Sequence, residues 1–273
     1  MKARKRFAQH FLEATWVTKV VAAVNAQSSE ALVEIGPGRG ALTRPLAAAA
    51  GRLLAVEIDR DLAADMERDK PANVTVVCQD FLDVDLAPLV GAWLGAPMGP
   101  SNPIRIVGNL PYNISSPILF RLLELSAATG GVTDGILMLQ KEVADRLVAR
   151  VGTGDYGVLT VLTGLRADVT RVLSLPPGAF RPAPKVHSAV VRLKFRAPQV
   201  SVPDERAFIR MVRGMFTQRR KTLTNALKPF AADMETTSTG ALAQAGIDGQ
   251  RRPETLRMDE FAALAQAFHI AGS

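Results

Sequence analysis

Short apolar runs alternate with longer stretches of helical periodicity along the first half of the chain. That alternation narrows the fold more than any other feature. The apolar runs are Ala31 to Ile35, Leu53 to Ile58, Val74 to Cys78, Ile104 to Val107 and Gly135 to Leu139. Trp16 to Asn25, Leu42 to Ala50, Asp61 to Arg68 and Pro117 to Ala128 read as helices. Short strands that are apolar throughout belong in a parallel sheet covered by helices on both faces. The spacing therefore predicts an α/β fold. Ser116 is placed to cap the helix that follows, with Pro117 at its first position. Cys78, the single cysteine, reads as a buried strand residue, and one cysteine permits no disulfide within the chain.

Ser188 to Phe195 has a different rhythm. Ala189, Val191, Leu193 and Phe195 point one way, and Arg192 and Lys194 the other. That is a strand with one partly solvated face, expected to be antiparallel and near an edge. A boundary falls near Ala197 to Pro203, and the rest is helical. Phe208, Met211, Val212, Met215 and Phe216 form one apolar stripe, and Phe261, Leu264, Ala265 and Phe268 another. We expect a domain over residues 1–199, with a basic arm over 1–12, and a smaller all-helical domain over 200–273. Leu86 to Pro103, rich in Gly and Pro, receives no assignment.

Lys plus Arg number 33 against 26 Asp plus Glu, a formal net charge of +7. That balance favours a polyanionic partner, nucleic acid first. No apolar stretch approaches the roughly 20 residues of a membrane span, and no signal-type segment follows the N-terminal basic residues. A cytoplasmic protein is expected, with no membrane partner.

The run Glu34-Ile-Gly36-Pro-Gly38-Arg-Gly40 joins a strand to a helix. Its glycines permit a tight turn and close approach of the backbone to a ligand. Glu34, Gly36, Gly38 and Gly40 are candidate cofactor contacts. The glycine spacing departs from the dinucleotide fingerprint, which has two residues before its third glycine. Glu57 ends the next strand run and Asp80 follows the third. In a parallel sheet all three features lie at the carboxyl edge, where ligands bind. One carboxylate can accept from both ribose hydroxyls of a nucleoside, and the other from the adenine amino group. S-adenosylmethionine fits better than NAD, because it carries no pyrophosphate to seat on the helix. No metal site is expected.

Asn109-Leu-Pro-Tyr112 stands at the end of the fourth strand run. The N6 amino group of adenine is a poor nucleophile, its lone pair being delocalised into the ring. The side-chain oxygen of Asn109 and the carbonyl of Leu110 can accept its protons and favour a more pyramidal nitrogen. Pro111 fixes the backbone, and Tyr112 offers a flat face to a base turned out of its RNA context. Positioning and charge placement then supply most of the rate enhancement, without a strong general base. The tetrapeptide alone does not select adenine.

Further motifs make a resemblance specific. They are Arg6-Phe-Ala-Gln-His-Phe-Leu12, Glu34 to Gly40, Glu57-Ile-Asp59, Asn109-Leu-Pro-Tyr-Asn-Ile-Ser115 and Gln140-Lys-Glu-Val143. To these are added Pro176-Pro-Gly-Ala-Phe-Arg-Pro-Ala-Pro-Lys-Val-His-Ser188 and Arg219-Arg-Lys-Thr-Leu223. The chain resembles the KsgA/RsmA family of small-subunit ribosomal RNA adenine N6,N6-dimethyltransferases along nearly its whole length. The resemblance implies a Rossmann-like class I methyltransferase sheet and S-adenosylmethionine as cofactor. It also implies dimethylation of two adjacent adenosines near the 3′ end of 16S ribosomal RNA, in the immature 30S subunit, by an expected monomer. Its cofactor contacts carry over to His10, Leu12, Gly36, Glu57, Asp80 and Asn109. Phe180 resembles the aromatic that packs the target base opposite Tyr112; the alternative is a loop anchor in the core. Two positions depart from the family pattern: His10 stands where many members have Asn, and Arg39 where an apolar residue is usual.

From Arg206 to Lys228 there are seven basic residues and no acidic one. Arg206, Arg210 and Arg213 share a helical face, and Arg219, Arg220 and Lys221 follow; all six are candidate phosphate contacts. Three other readings stand beside the main one, a DNA adenine methyltransferase being the last of them. The first is the 23S ribosomal RNA adenine dimethyltransferases that confer antibiotic resistance. The second is an assembly factor that mainly binds RNA, with methylation secondary.

Overall fold

The computed structural model describes residues 11–271. Its strands are β1 (Phe11–Leu12), β2 (Ala31–Ile35), β3 (Arg52–Glu57), β4 (Val74–Cys78), β5 (Ile104–Asn109), β6 (Val132–Gln140), β7 (Ala167–Leu175), β8 (Phe180–Arg181) and β9 (Ser188–Phe195). The helices before β7 are α1 (Ala14–Val24), α2 (Thr43–Ala49), α3 (Arg60–Arg68), α4 (Leu86–Leu94), α5 (Ser115–Thr129), α6 (Lys141–Leu147) and α7 (Val158–Arg166). After β9 come α8 (Glu205–Thr217), α9 (Leu223–Ala226), α10 (Lys228–Asp233), α11 (Ser238–Gln244) and α12 (Met258–Ala271).

Seven strands form one sheet in the order β4-β3-β2-β5-β6-β9-β7. The first five are parallel, and β9 runs antiparallel to both β6 and β7. The central strands are apolar because both faces are covered: Leu32, Val33, Leu53, Leu54 and Leu137 are each 0% exposed. The register between β7 and β9 shifts between Arg171 and Leu173, an irregularity on the outermost strand. A separate two-stranded pairing sets Phe11 against Arg181 and Leu12 against Phe180.

Helix ends follow local chemistry. Asp59 caps α3 by accepting from the backbone of Asp61 and Leu62, and Asp204 does the same for α8 with Arg206 and Ala207. Gly95 and Gly130 end α4 and α5 in the left-handed conformation, at φ 75° and 63°.

The structure differs from the sequence reading at several elements. α5 begins at Ser115, not after a Ser116 cap. Pro111 and Ile114 already close a turn (Ile114 N to Pro111 O, 3.2 Å), so the helix starts earlier, with no side-chain cap. Pro117 then sits third, where a missing N–H still costs nothing. Cys78 lies in its strand but is exposed, because β4 is a sheet edge. The unassigned segment holds α4 and a turn closed by pairing of Gly99 with Asn102. β9 lies one strand in from the edge formed by β7, which the sequence reading left without an element.

Contacts divide the chain into two units. One holds residues up to Ala144 together with Ala167–Arg196; the other holds Asp145–Arg166 with the chain after Ala197. The second crossing falls near the expected boundary, whereas residues 145–166, expected in the first domain, group with the helices. In that helical unit α7 packs on α8 and α12. Phe208, Met211, Phe261 and Leu264 are each 0% exposed, and Arg166 pairs with Glu205 at 2.8 Å. Among the described residues no helix is long and apolar enough to cross a membrane, and no acidic, His or Cys cluster suited to a metal occurs.

Candidate active site

A cavity of about 270 Å³ opens at the carboxyl ends of β2 to β5. β2 supplies Glu34 and the loop Gly36-Pro37-Gly38, β3 supplies Glu57 and Ile58, and Asp80 follows β4. Asn109, Leu110, Pro111, Tyr112, Asn113 and Ile114 continue from β5, and Phe11 and Leu12 close one side. Gly36 has φ +62° and nothing within 4 Å of where a Cβ would stand, so the loop presents bare backbone.

Glu57 is 5% exposed and held from two directions. Gly38 N donates to its Oε2 and Asp59 N to its Oε1, each at 2.9 Å. Burial raises its carboxyl above the usual range, and these backbone N–H groups oppose the rise. Asp80 Oδ1 accepts from Leu82 N at 2.9 Å, which orients that carboxylate after the strand. Glu34 is 2% exposed, and its Oε2 has no hydrogen-bond partner. Burial pushes the Glu34 carboxyl up to about 7; Thr43 opposes the shift and Glu57 adds to it. The Thr43 hydroxyl stands outside full hydrogen-bond geometry and favours the charged form as a polar neighbour, and Glu34 Oε2 completes no hydrogen bond.

The target side is built on the end of β5. Leu110 N donates to Met138 O at 3.1 Å, which ties the chain to β6 where the strand ends. Tyr112 OH and Ser188 Oγ lie 2.7 Å apart, and burial raises the phenol. Ser188 begins β9, so the ring is braced from a strand two places along the sheet.

The structure brings Leu12, Glu34, Gly36, Gly38, Glu57, Asp80, Asn109, Leu110, Pro111 and Tyr112 around this one cavity. Gly40 stands outside it: its added Cβ would meet Met66 at 3.5 Å, on the side of α3. His10 lies outside the described residues. Phe180 does not face Tyr112 across the cavity. It is 0% exposed, in the core cluster that includes Leu175, Ala179, Val107 and Met138, with Leu12 and Trp16 against it. A ring sealed on all sides has no face for a base, so the loop-anchor alternative describes this conformation. Sequence reasoning missed Phe11, although it lay inside a quoted motif, and Ser188, whose pairing with Tyr112 spans distant segments. Arg39 lies over the Phe11 ring at 4.3 Å.

In the helical unit Arg206, Arg210, Arg213, Arg220 and Lys221 are exposed. Arg219 is turned inward: Nη2 donates to Thr153 O at 3.1 Å, Nη1 to Gly154 O, and Nε lies 3.8 Å from Glu254. It holds the 152–156 loop rather than presenting a free guanidinium.

A family model described as ribosomal RNA adenine dimethylase matches residues 1–269. The protein "Ribosomal RNA small subunit methyltransferase A" of Geobacter sulfurreducens is 43% identical, over 100% of this chain and 97% of that one. Its namesake in Acinetobacter baylyi is 44% identical, over 97% of this chain and 92% of that one. Among solved structures, a dimethyladenosine transferase from Plasmodium falciparum has TM-score 0.76 at 24% identity, covering 96% of this chain and 98% of that one. The 23S rRNA methyltransferase ErmE has TM-score 0.63 at 26% identity, covering 95% and 99%.

Proposed function

The chain belongs to the ribosomal RNA adenine dimethylase family, and from that premise we propose that its target is adenosine in the RNA of the small ribosomal subunit. It is an enzyme that methylates ribosomal RNA adenine with S-adenosylmethionine as donor, on a class I methyltransferase sheet. The finer reading is two adjacent adenosines near the 3′ end of 16S ribosomal RNA, each converted to N6,N6-dimethyladenosine in the immature 30S subunit, by a cytoplasmic monomer. The names of the full-length relatives support the small subunit over the 23S reading.

The observation that carries the chemistry is the single cavity shared by Glu57, Asp80 and Asn109. The residues present fit the cofactor: two carboxyls at adjacent strand ends, bare backbone at Gly36, and a buried acceptor on Glu34 that lacks a partner. When bound, the cofactor supplies a methyl group on a sulfonium. Glu57, fixed by two N–H groups, takes the ribose hydroxyls, and Asp80 the adenine amino group. Glu34, Gly36 and Gly38 lie against the amino-acid end, and Leu12 and Phe11 cover the cavity.

On the target side, the Asn109 side-chain oxygen and the Leu110 carbonyl accept the N6 protons and concentrate the nitrogen lone pair. Pro111 holds their spacing. Tyr112, braced by Ser188, packs the base. Phe180 acts through the core, by anchoring the segment that pairs with Leu12. Arg206, Arg210, Arg213, Arg220 and Lys221 engage phosphates, and Arg219 holds the loop at Thr153 and Gly154.

The test is incubation of the full chain with labelled S-adenosylmethionine and undermethylated 30S subunits, then nucleoside analysis. N6,N6-dimethyladenosine in 16S ribosomal RNA is expected. Label appearing only in naked 23S ribosomal RNA would overturn the target, and particles left unlabelled beside an active control enzyme would overturn the function. The assembly-factor reading is tested by Asn109→Ala, which would keep its cellular role only if binding alone mattered.

A further inference from the structure

Glu34 is the one acid at this site with a buried oxygen that lacks a partner. It projects from the middle of the sheet, where its register partners are Ala55 on β3 and Val107 on β5, both apolar. Among the described residues the charged neighbour acting on it is Glu57 from β3, and the polar one is Thr43 from α2. Glu34 is nevertheless one of the residues that line the cavity. A buried acid in such surroundings stays protonated to unusually high pH, here to about 7. S-adenosylmethionine carries two cationic groups, a sulfonium and an ammonium, and burial of a cation in the cavity requires an anion nearby.

We propose that Glu34 is the charge-pairing residue for the cofactor: its unpartnered buried carboxyl ionises when a cationic group of S-adenosylmethionine enters, so that binding releases a proton. The proton passes from the carboxyl to solvent, and the new carboxylate gains a cation in place of its missing partner. The inference rests on the reading of this cavity as the cofactor site and adds a linkage that the reading does not contain. It makes donor affinity fall in acid, and it separates donor from spent product wherever the sulfonium is the partner.

Calorimetry of the full chain tests it, with S-adenosylmethionine titrated in two buffers of different ionisation enthalpy. Near pH 7 about half a proton should leave per cofactor bound. From pH 8 to pH 6 the dissociation constant should rise about tenfold, following the ionised fraction of a group near 7. Glu34→Gln should bind with that dependence removed, which cancels any titration of the ligand itself. Thr43→Val removes the neighbour that favours the charged form, so the midpoint should move to higher pH. This second variant keeps the question open to refutation if Glu34→Gln does not fold. S-adenosylhomocysteine, which lacks the sulfonium, identifies the partner: equal proton release points to the ammonium, and loss of release points to the sulfonium. Tight binding by the wild type with no proton release, or a midpoint unmoved in Thr43→Val, overturns the inference. Failure to bind either ligand at any pH overturns the reading beneath it instead.

Discussion

Replacing Glu34 by Gln should stabilise the folded chain, in a way that depends on pH. The carboxyl titrates at about 7 in the fold against 4.5 for a free side chain. At 1.36 kcal/mol per pH unit that gap is worth about 3 kcal/mol. The fold holds the proton more tightly than the unfolded chain does. The penalty is therefore absent below pH 4.5, grows as pH rises through the window from 4.5 to about 7, and is complete above it. With Glu34 only 2% exposed, solvent screening takes little from this figure. Glutamine is neutral throughout and escapes the penalty. The stability of Glu34→Gln minus that of wild type should thus climb by about 3 kcal/mol between pH 4.5 and pH 8. The difference removes most contributions from other groups, such as Glu57. Urea denaturation followed by tryptophan fluorescence suits the measurement, because Trp16 and Trp93 both lie in the unit that contains Glu34. A difference curve that is flat, or that falls with pH, would refute the claim that Glu34 is buried without compensation.

Four further outcomes follow from the same geometry. Phe180→Ala should cost about 3–5 kcal/mol in denaturation, since the ring is 0% exposed; unchanged stability with lost methylation would restore it to the target base. Asn109→Ala should lose about 10²–10³ in methyl transfer while S-adenosylhomocysteine binding, read by calorimetry, persists. Tyr112→Phe should lower stability by about 1 kcal/mol through the Ser188 hydroxyl and keep methylation, whereas Tyr112→Ala should lose methylation. Arg210→Gln should flatten the salt dependence of RNA binding by about 0.7–0.9 per lost phosphate contact, and Arg219→Gln should leave it unchanged while loosening the 152–156 loop in hydrogen exchange.

The parallel half of the sheet was legible because its central strands are buried on both faces, and its edge strand β4 is still a run rich in β-branched residues. Ala31–Ile35 and Val74–Cys78 stand in the structure with the bounds read from sequence. β7 was not legible: Asp168, Thr170 and Arg171 interrupt its apolar residues, as an outermost strand allows. The 145–166 segment was misplaced because chain order carries no record of where α7 packs. At the site, Glu57, Asp80 and Asn109 were readable as strand ends, since a parallel sheet brings consecutive strand ends together. The fates of Phe180 and Arg219 were not readable. An aromatic in a proline-rich loop and an arginine in a basic run have the same sequence appearance whether they face a ligand or their own fold. Only the partners distinguish them: the core beside Leu12 for one, the carbonyls of Thr153 and Gly154 for the other.

The shifted register at Arg171–Leu173 has a consequence for how this molecule keeps company with its own copies. An outermost strand is an open row of donors and acceptors, and a second sheet can zip onto it if the row is straight. A slipped residue in the middle of β7 bends that row, so a visiting strand runs out of matching groups after a few residues. Asp168, engaged by Arg196 at 2.8 Å, sets charge beside one end of it. One irregular strand is thereby a built-in guard against edge-to-edge pairing of this sheet with a second copy.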